Sequence, residues 1–188
     1  MKKVYLSLGG NVGDTLSILL NVIIDITSYK KIFSPSCSSF YKTAPVGYKD
    51  QAHFINAVLS FESELSAFDL QAMLQAIEKK YKKNKLFCNG PRTVDIDILF
   101  YGQEHYSTPS LTIPHPRWKE RLFVLYPLLD LTSQIEVVTG QFLDIQAIID
   151  NIETNACNTR QNCTVNDQTI QLSVNKKFNN FGISKINE

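Results

Sequence analysis

Apolar and polar positions alternate loosely from Val4 to Leu8, which predicts a short strand running into the turn sequence Gly9-Gly10-Asn11-Val12-Gly13-Asp14. Behind it Leu16, Leu19, Leu20, Ile23, Ile24 and Ile26 recur at spacings of three and four, the mark of a helix with one inward face. Asp14 or Thr15 is placed to cap that helix, and Lys30-Lys31 to mark its end. A second strand is predicted from Ser38 to Thr43, stopped by Ala44-Pro45-Val46-Gly47, and a third from Phe54 to Glu62. A second helix should start near Ser66, three residues before Asp69, and turn Leu70, Met73, Leu74 and Ile77 inward before running out in lysines.

The strongest strand signal is Thr93 to Tyr101, Thr-Val-Asp-Ile-Asp-Ile-Leu-Phe-Tyr. The order is then βαββαβ, which points to an α/β (α+β) fold with a ferredoxin-like core: a mainly antiparallel sheet with helices packed on it. Pro114 to Leu131 should hold a turn and a short helix, and Phe142 to Ile152 another helix. From about Asn155 the composition shifts to Asn, Thr and Gln with few large apolar residues. The expected division is a domain over 1–155 and a polar C-terminal extension over 156–188, a flexible tail or a linker, with a small hairpin at Val165 to Val174.

Composition narrows the class of partner. The 188 residues are 44% hydrophobic and 20% charged, which suits one ordinary globular core. Lys plus Arg is 19 against 18 for Asp plus Glu, so nothing favours nucleic acid or an anionic membrane, and any anion site must be local. No stretch approaches the ~20 apolar residues of a membrane span, and the N-terminus lacks a signal-peptide pattern. Cys37, Cys88, Cys157 and Cys163 are irregularly spaced without a Cys-x-x-Cys pair, so the expected setting is reducing and cytoplasmic.

Chemistry concentrates in Gly90-Pro91-Arg92-Thr93-Val94-Asp95-Ile96-Asp97-Ile98-Leu99. On a strand, Asp95 and Asp97 share one face while Val94, Ile96 and Ile98 turn to the core. Their Cα atoms should lie about 6.6–6.8 Å apart, close enough for the two carboxylates to hold hard cations about 3.5–4 Å apart. The plainer alternative is an edge strand with a solvated acidic face. Context favours the first: Arg92 adjoins the acids, and Pro114-His115-Pro116-Arg117 with Arg121 lies one short loop downstream. A magnesium nucleotide needs that mixture, carboxylates for the metal and cations for the remaining phosphate oxygens. Lys79, Lys80, Lys82, Lys83 and Lys85 can add charge, although a solvated helix end accounts for most of them. The glycine turn after the first strand lacks the Gly-Lys-Ser/Thr ending of a phosphate loop, and tight turning with helix capping explains it.

Together these motifs resemble the 6-hydroxymethyl-7,8-dihydropterin pyrophosphokinase family. The matching pieces are Tyr5 to Gly13, Ser39 to Gly47, Phe54-Ile55-Asn56-Ala57, Gly90 to Leu99, and Ile113-Pro114-His115-Pro116 with Arg121, Phe123, Val124, Leu125 and Pro127-Leu128. The resemblance implies transfer of a diphosphate from ATP to the pterin hydroxymethyl group in folate biosynthesis, with release of AMP and with two Mg2+ ions as cofactors. It implies that Asp95 and Asp97 hold the metals, and that Arg92, His115 and Arg121 contact the triphosphate. Gln75, Glu78 and Ile98 fall where the family contacts or supports the nucleotide. Phe54 and Phe123 would sandwich the pterin, whose edge Asn56 reads with backbone help from Thr43, Pro45 and Val46. A fused or neighbouring folate-pathway enzyme is an implied partner.

The chain departs from the family between Glu78 and Gly90, where Lys83 and Lys85 stand in the places of two arginines, and at Phe54, where tyrosine is usual. Lysine keeps the charge but loses the bidentate fork. Tyr81 to Asn89 is expected to be a lid that orders over the phosphates. Two rivals share the element order. An RNA-recognition module would need aromatics where this strand carries acids, and a non-catalytic ligand-binding domain of the same fold would have no use for a metal pair.

Overall fold

The computed structural model describes residues 1–46, 48, 50–82, 90–137, 140–159 and 170–171. In chain order the elements are β1 (Lys2–Gly10), α1 (Thr15–Thr27), β2 (Ile32–Cys37), β3 (Tyr41–Thr43), β4 (Phe54–Ser63), α2 (Ala67–Lys80), β5 (Asp95–Tyr101), β6 (Tyr106–Ser107), β7 (Thr112–Ile113), a 3-10 turn (Trp118–Glu120), α3 (Leu122–Leu129), β8 (Gln134–Glu136), β9 (Phe142–Asp144), α4 (Ile145–Thr159) and β10 (Ile170–Gln171). β1 is flanked by β4 and β5, β2 and β3 both pair with β4, and β10 pairs with β3. Each of these pairings is antiparallel, and two helices follow the split β-α-β order, which is the ferredoxin-like α+β architecture.

The alternation within β1 divides the interior in two. Val4, Leu6 and Leu8 meet Leu19, Val22 and Ile26 of α1 and Leu70, Leu74 and Ile77 of α2. On the opposite face Val58, Leu99, Phe100 and Trp118 pack with Val124, Leu125 and Leu128 of α3 and Ile145 and Ile149 of α4. Leu70 and Leu125 are both fully buried, and burial of that completeness stabilises by about 1.5–3 kcal/mol for each leucine.

Caps set the two long helices. Asp14 accepts the Ser17 N–H, and Ser66 accepts the Asp69 N–H over 3.1 Å, as the spacing from Ser66 to Asp69 predicts.

Four expectations need correction. α1 ends at Thr27 rather than at the lysines, where Thr27 and Ser28 hydroxyls turn back to the Ile23 and Ile24 carbonyls. Its inward face holds Val22, while Ile24 is 57% exposed, because a true 3.6-residue period rotates Ile24 away from Leu19 and Ile26. The strand expected from Ser38 to Thr43 is shorter, with only Tyr41–Thr43 forming β3, and an unforeseen strand, β2, precedes it, interrupted by a register shift between Phe33 and Ser36 around Ser34 (φ +49) and Pro35. Phe142–Asp144 is a strand paired with Gln134–Glu136, and the helix begins at Ile145, where Asp144 accepts the Ala147 N–H. Of the Val165 to Val174 hairpin, all but Ile170–Gln171 lies outside the described residues, and those two pair with β3. No helix of the described residues is long and apolar enough to cross a membrane.

Candidate active site

Both acids stand at the exposed edge of the sheet, on β5. Its register against β1 slips between Tyr5 and Leu6, so that Tyr5 faces Phe100, Leu6 faces Ile98, and Leu99 has no opposite number. This is a β-bulge, and its extra residue leaves the Leu99 carbonyl free to accept the His115 N–H over 3.0 Å. The turn at Ile113–Pro114, a cis peptide, is thereby tied to the strand, and His115 arrives beside Asp97.

Around Asp97, Arg121 Nη1 lies 3.6 Å and His115 Nε2 3.8 Å from Oδ2, with 3.3 Å between the two nitrogens. Arg121 is the residue from which α3 starts. Asp95 is paired with Arg92, whose Nε lies 3.0 Å from Oδ2 but off the hydrogen-bond axis, so the attraction is electrostatic. Burial holds His115 below its usual range, opposed by the Asp97 charge and reinforced by Arg121. Its Nδ1 accepts the Arg117 N–H over 3.1 Å, so the proton of the neutral ring sits on Nε2, toward the acids.

The arginines also reach aromatic rings. The Arg92 guanidinium lies 4.8 Å from the centroid of Phe54, and that of Arg121 lies 5.6 Å from the centroid of Phe123. Phe54 opens β4, and Asn56, two residues on, shares its face; the buried Asn56 donates to Thr43 Oγ1 over 2.8 Å. Pro45 and Val46 follow β3 on the surface side, with Val46 well exposed.

A cleft of about 310 Å³ opens beside Asp97. It is walled by Gln71, Leu74, Gln75 and Glu78 of α2, by Ile96 and Ile98 of β5, and by Ser110 to Thr112 with His115 and Pro116. The structure therefore gathers Asp95, Asp97, Arg92, His115 and Arg121 at the mouth of one cleft and puts Gln75, Glu78 and Ile98 in its wall. Of the expected lid, Tyr81 to Asn89, residues 83–89 with Lys83 and Lys85 lie outside the described residues, while Tyr81 at its start is held to α1 by its hydroxyl donating to Asp25 over 2.8 Å.

Sequence reasoning missed the stretch Ser110 to Thr112, which carries no charge or motif, and also Asn11, the buried hub of the turn after β1. Its signal was available: a polar residue held between glycines beside an apolar strand.

Residues 5–133 match the family described as 7,8-dihydro-6-hydroxymethylpterin-pyrophosphokinase. The chain belongs to this family. It is similar to the 2-amino-4-hydroxy-6-hydroxymethyldihydropteridine pyrophosphokinase of Bacillus subtilis, 39% identical over 132 residues that cover 70% of this chain and 79% of the relative. The Folic acid synthesis protein fol1 of Pneumocystis carinii is 42% identical over 138 residues, 73% of this chain and 18% of that protein. Among solved structures, wild-type Plasmodium falciparum HPPK-DHPS with SDX-DHP superposes with a TM-score of 0.61 at 13% identity, over 93% of this chain and 50% of that one. The chain thus spans about half the length of that solved protein, and the likeness to it is one of fold.

Proposed function

We propose that this chain transfers the terminal diphosphate of ATP to the hydroxymethyl group of 6-hydroxymethyl-7,8-dihydropterin, a step of folate biosynthesis. Membership of the pyrophosphokinase family makes it an enzyme with ATP as co-substrate. The observation that supports these particular residues is Asp97 bracketed by Arg121 and His115 at the cleft mouth, with the Asp95, Arg92 and Phe54 group beside it.

In this reading the cleft between α2 and the 110–116 segment takes the nucleotide, with Gln75, Glu78 and Ile98 along it. Arg92, Arg121 and the Nε2–H of His115 donate to phosphate oxygens. Phe54 and Phe123 hold the pterin ring, and Asn56 with Thr43, Pro45 and Val46 reads its edge. The hydroxyl oxygen then bonds to the β-phosphorus, the bridging bond to the α-phosphoryl group breaks, AMP leaves, and the hydroxyl proton passes to solvent.

Magnesium fits the donor set. Two carboxylates share one face, and no group of three or more metal-binding side chains exists among the described residues, which suits magnesium, since it would keep phosphate oxygens and water as its other ligands. Asp95 and Asp97 would hold two such ions, which when bound would neutralise phosphate charge during the transfer.

Residues 1–155 form the catalytic unit in this reading and 156–188 an extension, although α4 runs through that boundary to Thr159. A cytoplasmic setting follows from the thiol pattern. A fused or neighbouring folate-pathway enzyme is the proposed partner, supported by the fol1 relative, in which the matched stretch is 18% of the protein. Incubation with MgATP and the hydroxymethyl-dihydropterin should yield AMP and pterin diphosphate in equal amounts. ADP with a pterin monophosphate would overturn the reaction, and absence of turnover would leave a ligand-binding domain.

A further inference from the structure

Asn11 joins two segments of the site that lie far apart in the chain. Its backbone N–H donates to the Arg92 carbonyl over 2.9 Å, and its carboxamide oxygen accepts the Arg92 N–H over 2.9 Å. Its carboxamide nitrogen donates one hydrogen to Gln51 Oε1 and the other to the Ala52 carbonyl, both at 3.0 Å. The residue is buried, so each partner replaces water that is no longer there. Gln51 is itself anchored by donating to the Tyr48 carbonyl over 2.7 Å.

The two residues before Asn11 are pressed against the same segments. A Cβ on Gly9 would stand 2.6 Å from Asn56 Oδ1, and one on Gly10 would stand 2.3 Å from the Thr93 carbonyl oxygen. The end of β1 is therefore wedged between the strand carrying Phe54 and Asn56 and the turn carrying Arg92 and Thr93. Across that wedge the Arg92 guanidinium reaches the Phe54 ring.

We propose that Asn11 is a positioning residue for the transfer: it fixes the segment ending in Phe54 to the segment beginning at Arg92, so that the pterin wall and a phosphate-binding cation keep one register. The proposal rests on the reading of Phe54 as a stacking residue and Arg92 as a phosphate contact. The two halves of the Asn11 carboxamide serve different sides. Its oxygen holds Arg92, and its nitrogen holds the approach to Phe54.

Steady-state kinetics of the full chain in both substrates, with thermal melting, test this on Asn11→Ala, Asn11→Asp and Phe54→Ala. Asn11→Ala loses both halves and should raise the pterin KM and lower kcat, each roughly tenfold, with the ATP KM within about threefold of the parent. Asn11→Asp keeps an acceptor for Arg92 but sets an oxygen against the Ala52 carbonyl. It should raise the pterin KM as far as alanine does while kcat stays within about threefold of the parent. Should the alanine variant not fold, the aspartate variant carries the test alone. Parent-like pterin KM in a folded Asn11→Asp, with only the melting temperature lowered, overturns the proposal, as do equal kcat losses in the two Asn11 variants. An unchanged pterin KM in Phe54→Ala overturns the stacking reading and the proposal together, whereas a raised one beside parent-like Asn11 variants overturns the proposal alone.

Discussion

Ile96 donates its backbone N–H to Oε1 of Glu78 over 2.8 Å, a bond from the edge of the sheet to a side chain of α2. Ile96 sits between Asp95 and Asp97, so this carboxylate stands where a further strand would otherwise pair and holds the segment that presents both acids. Glu78 is 8% exposed, which makes the bond hard to replace with water. Glu78→Ala should destabilise the fold by about 1–3 kcal/mol, the cost of an unsatisfied buried N–H. Glu78→Gln, which retains an acceptor, should lose less. Urea unfolding of the three proteins gives the comparison, and equal losses in the two variants would show that charge rather than the bond matters.

Asp95→Ala and Asp97→Ala should each lower turnover by an amount equivalent to several kcal/mol of transition-state stabilisation. Their stability should change little, since both acids are partly exposed and exposed ion pairs contribute ~0–1 kcal/mol. The check is kcat at saturating ATP across a magnesium titration, with a melting curve beside it. Near-parent turnover in both variants would refute the metal assignment.

Lys83 carries an expectation that comes from sequence alone. A lysine in an arginine place offers a mobile point charge, so Lys83→Arg should keep or raise the single-turnover rate, and Lys83→Ala should lower it with a modest effect on pterin binding. Parent-like single turnover by the alanine variant would remove this lysine from the phosphate site.

Burial and the nearby Asp130 charge push the Cys37 thiol from 9.0 up to about 12. Because the folded value is raised, the folded protein holds that proton while the unfolded chain loses it. This contribution to stability is full below about pH 9 and is lost as pH rises toward about 12. In Cys37→Ala, denaturant unfolding between these values should show a shallower fall with pH than the parent does. Alkylation at pH 8 offers a second reading, since the half-buried Cys37 with its raised thiol pKa should react with iodoacetamide more slowly in the native protein than in the unfolded chain. Equal rates in the native and unfolded protein would contradict the raised thiol pKa.

Much of this was legible in the sequence for a physical reason. β5 is an edge strand whose two faces differ, so its acids and apolar residues had to alternate, and β4 and α2 likewise carry one clear period each. β2 was hidden because Ser34 and Pro35 break its period at the register shift. At the site, residue types could be named but their convergence could not. His115 meets Asp97 through a carbonyl exposed by a bulge, and Glu78 acts through the backbone of its neighbour, which no side-chain pattern records.

The unpaired Leu99 makes β5 two strands in one. Ahead of it, Val94, Ile96 and Ile98 face α1 and α2 while the aspartates face the other way; beyond it, Leu99 and Phe100 enter the same opposite layer in succession, and Tyr101 returns to the first. The facing of the acids is therefore decoupled from the facing of the strand's closing residues. Substitutions toward Tyr101 answer to packing, and those toward Asp95 answer to chemistry. Deleting the one extra residue would break that independence, because the halves would share a single parity and either the acids or Phe100 would have to change sides.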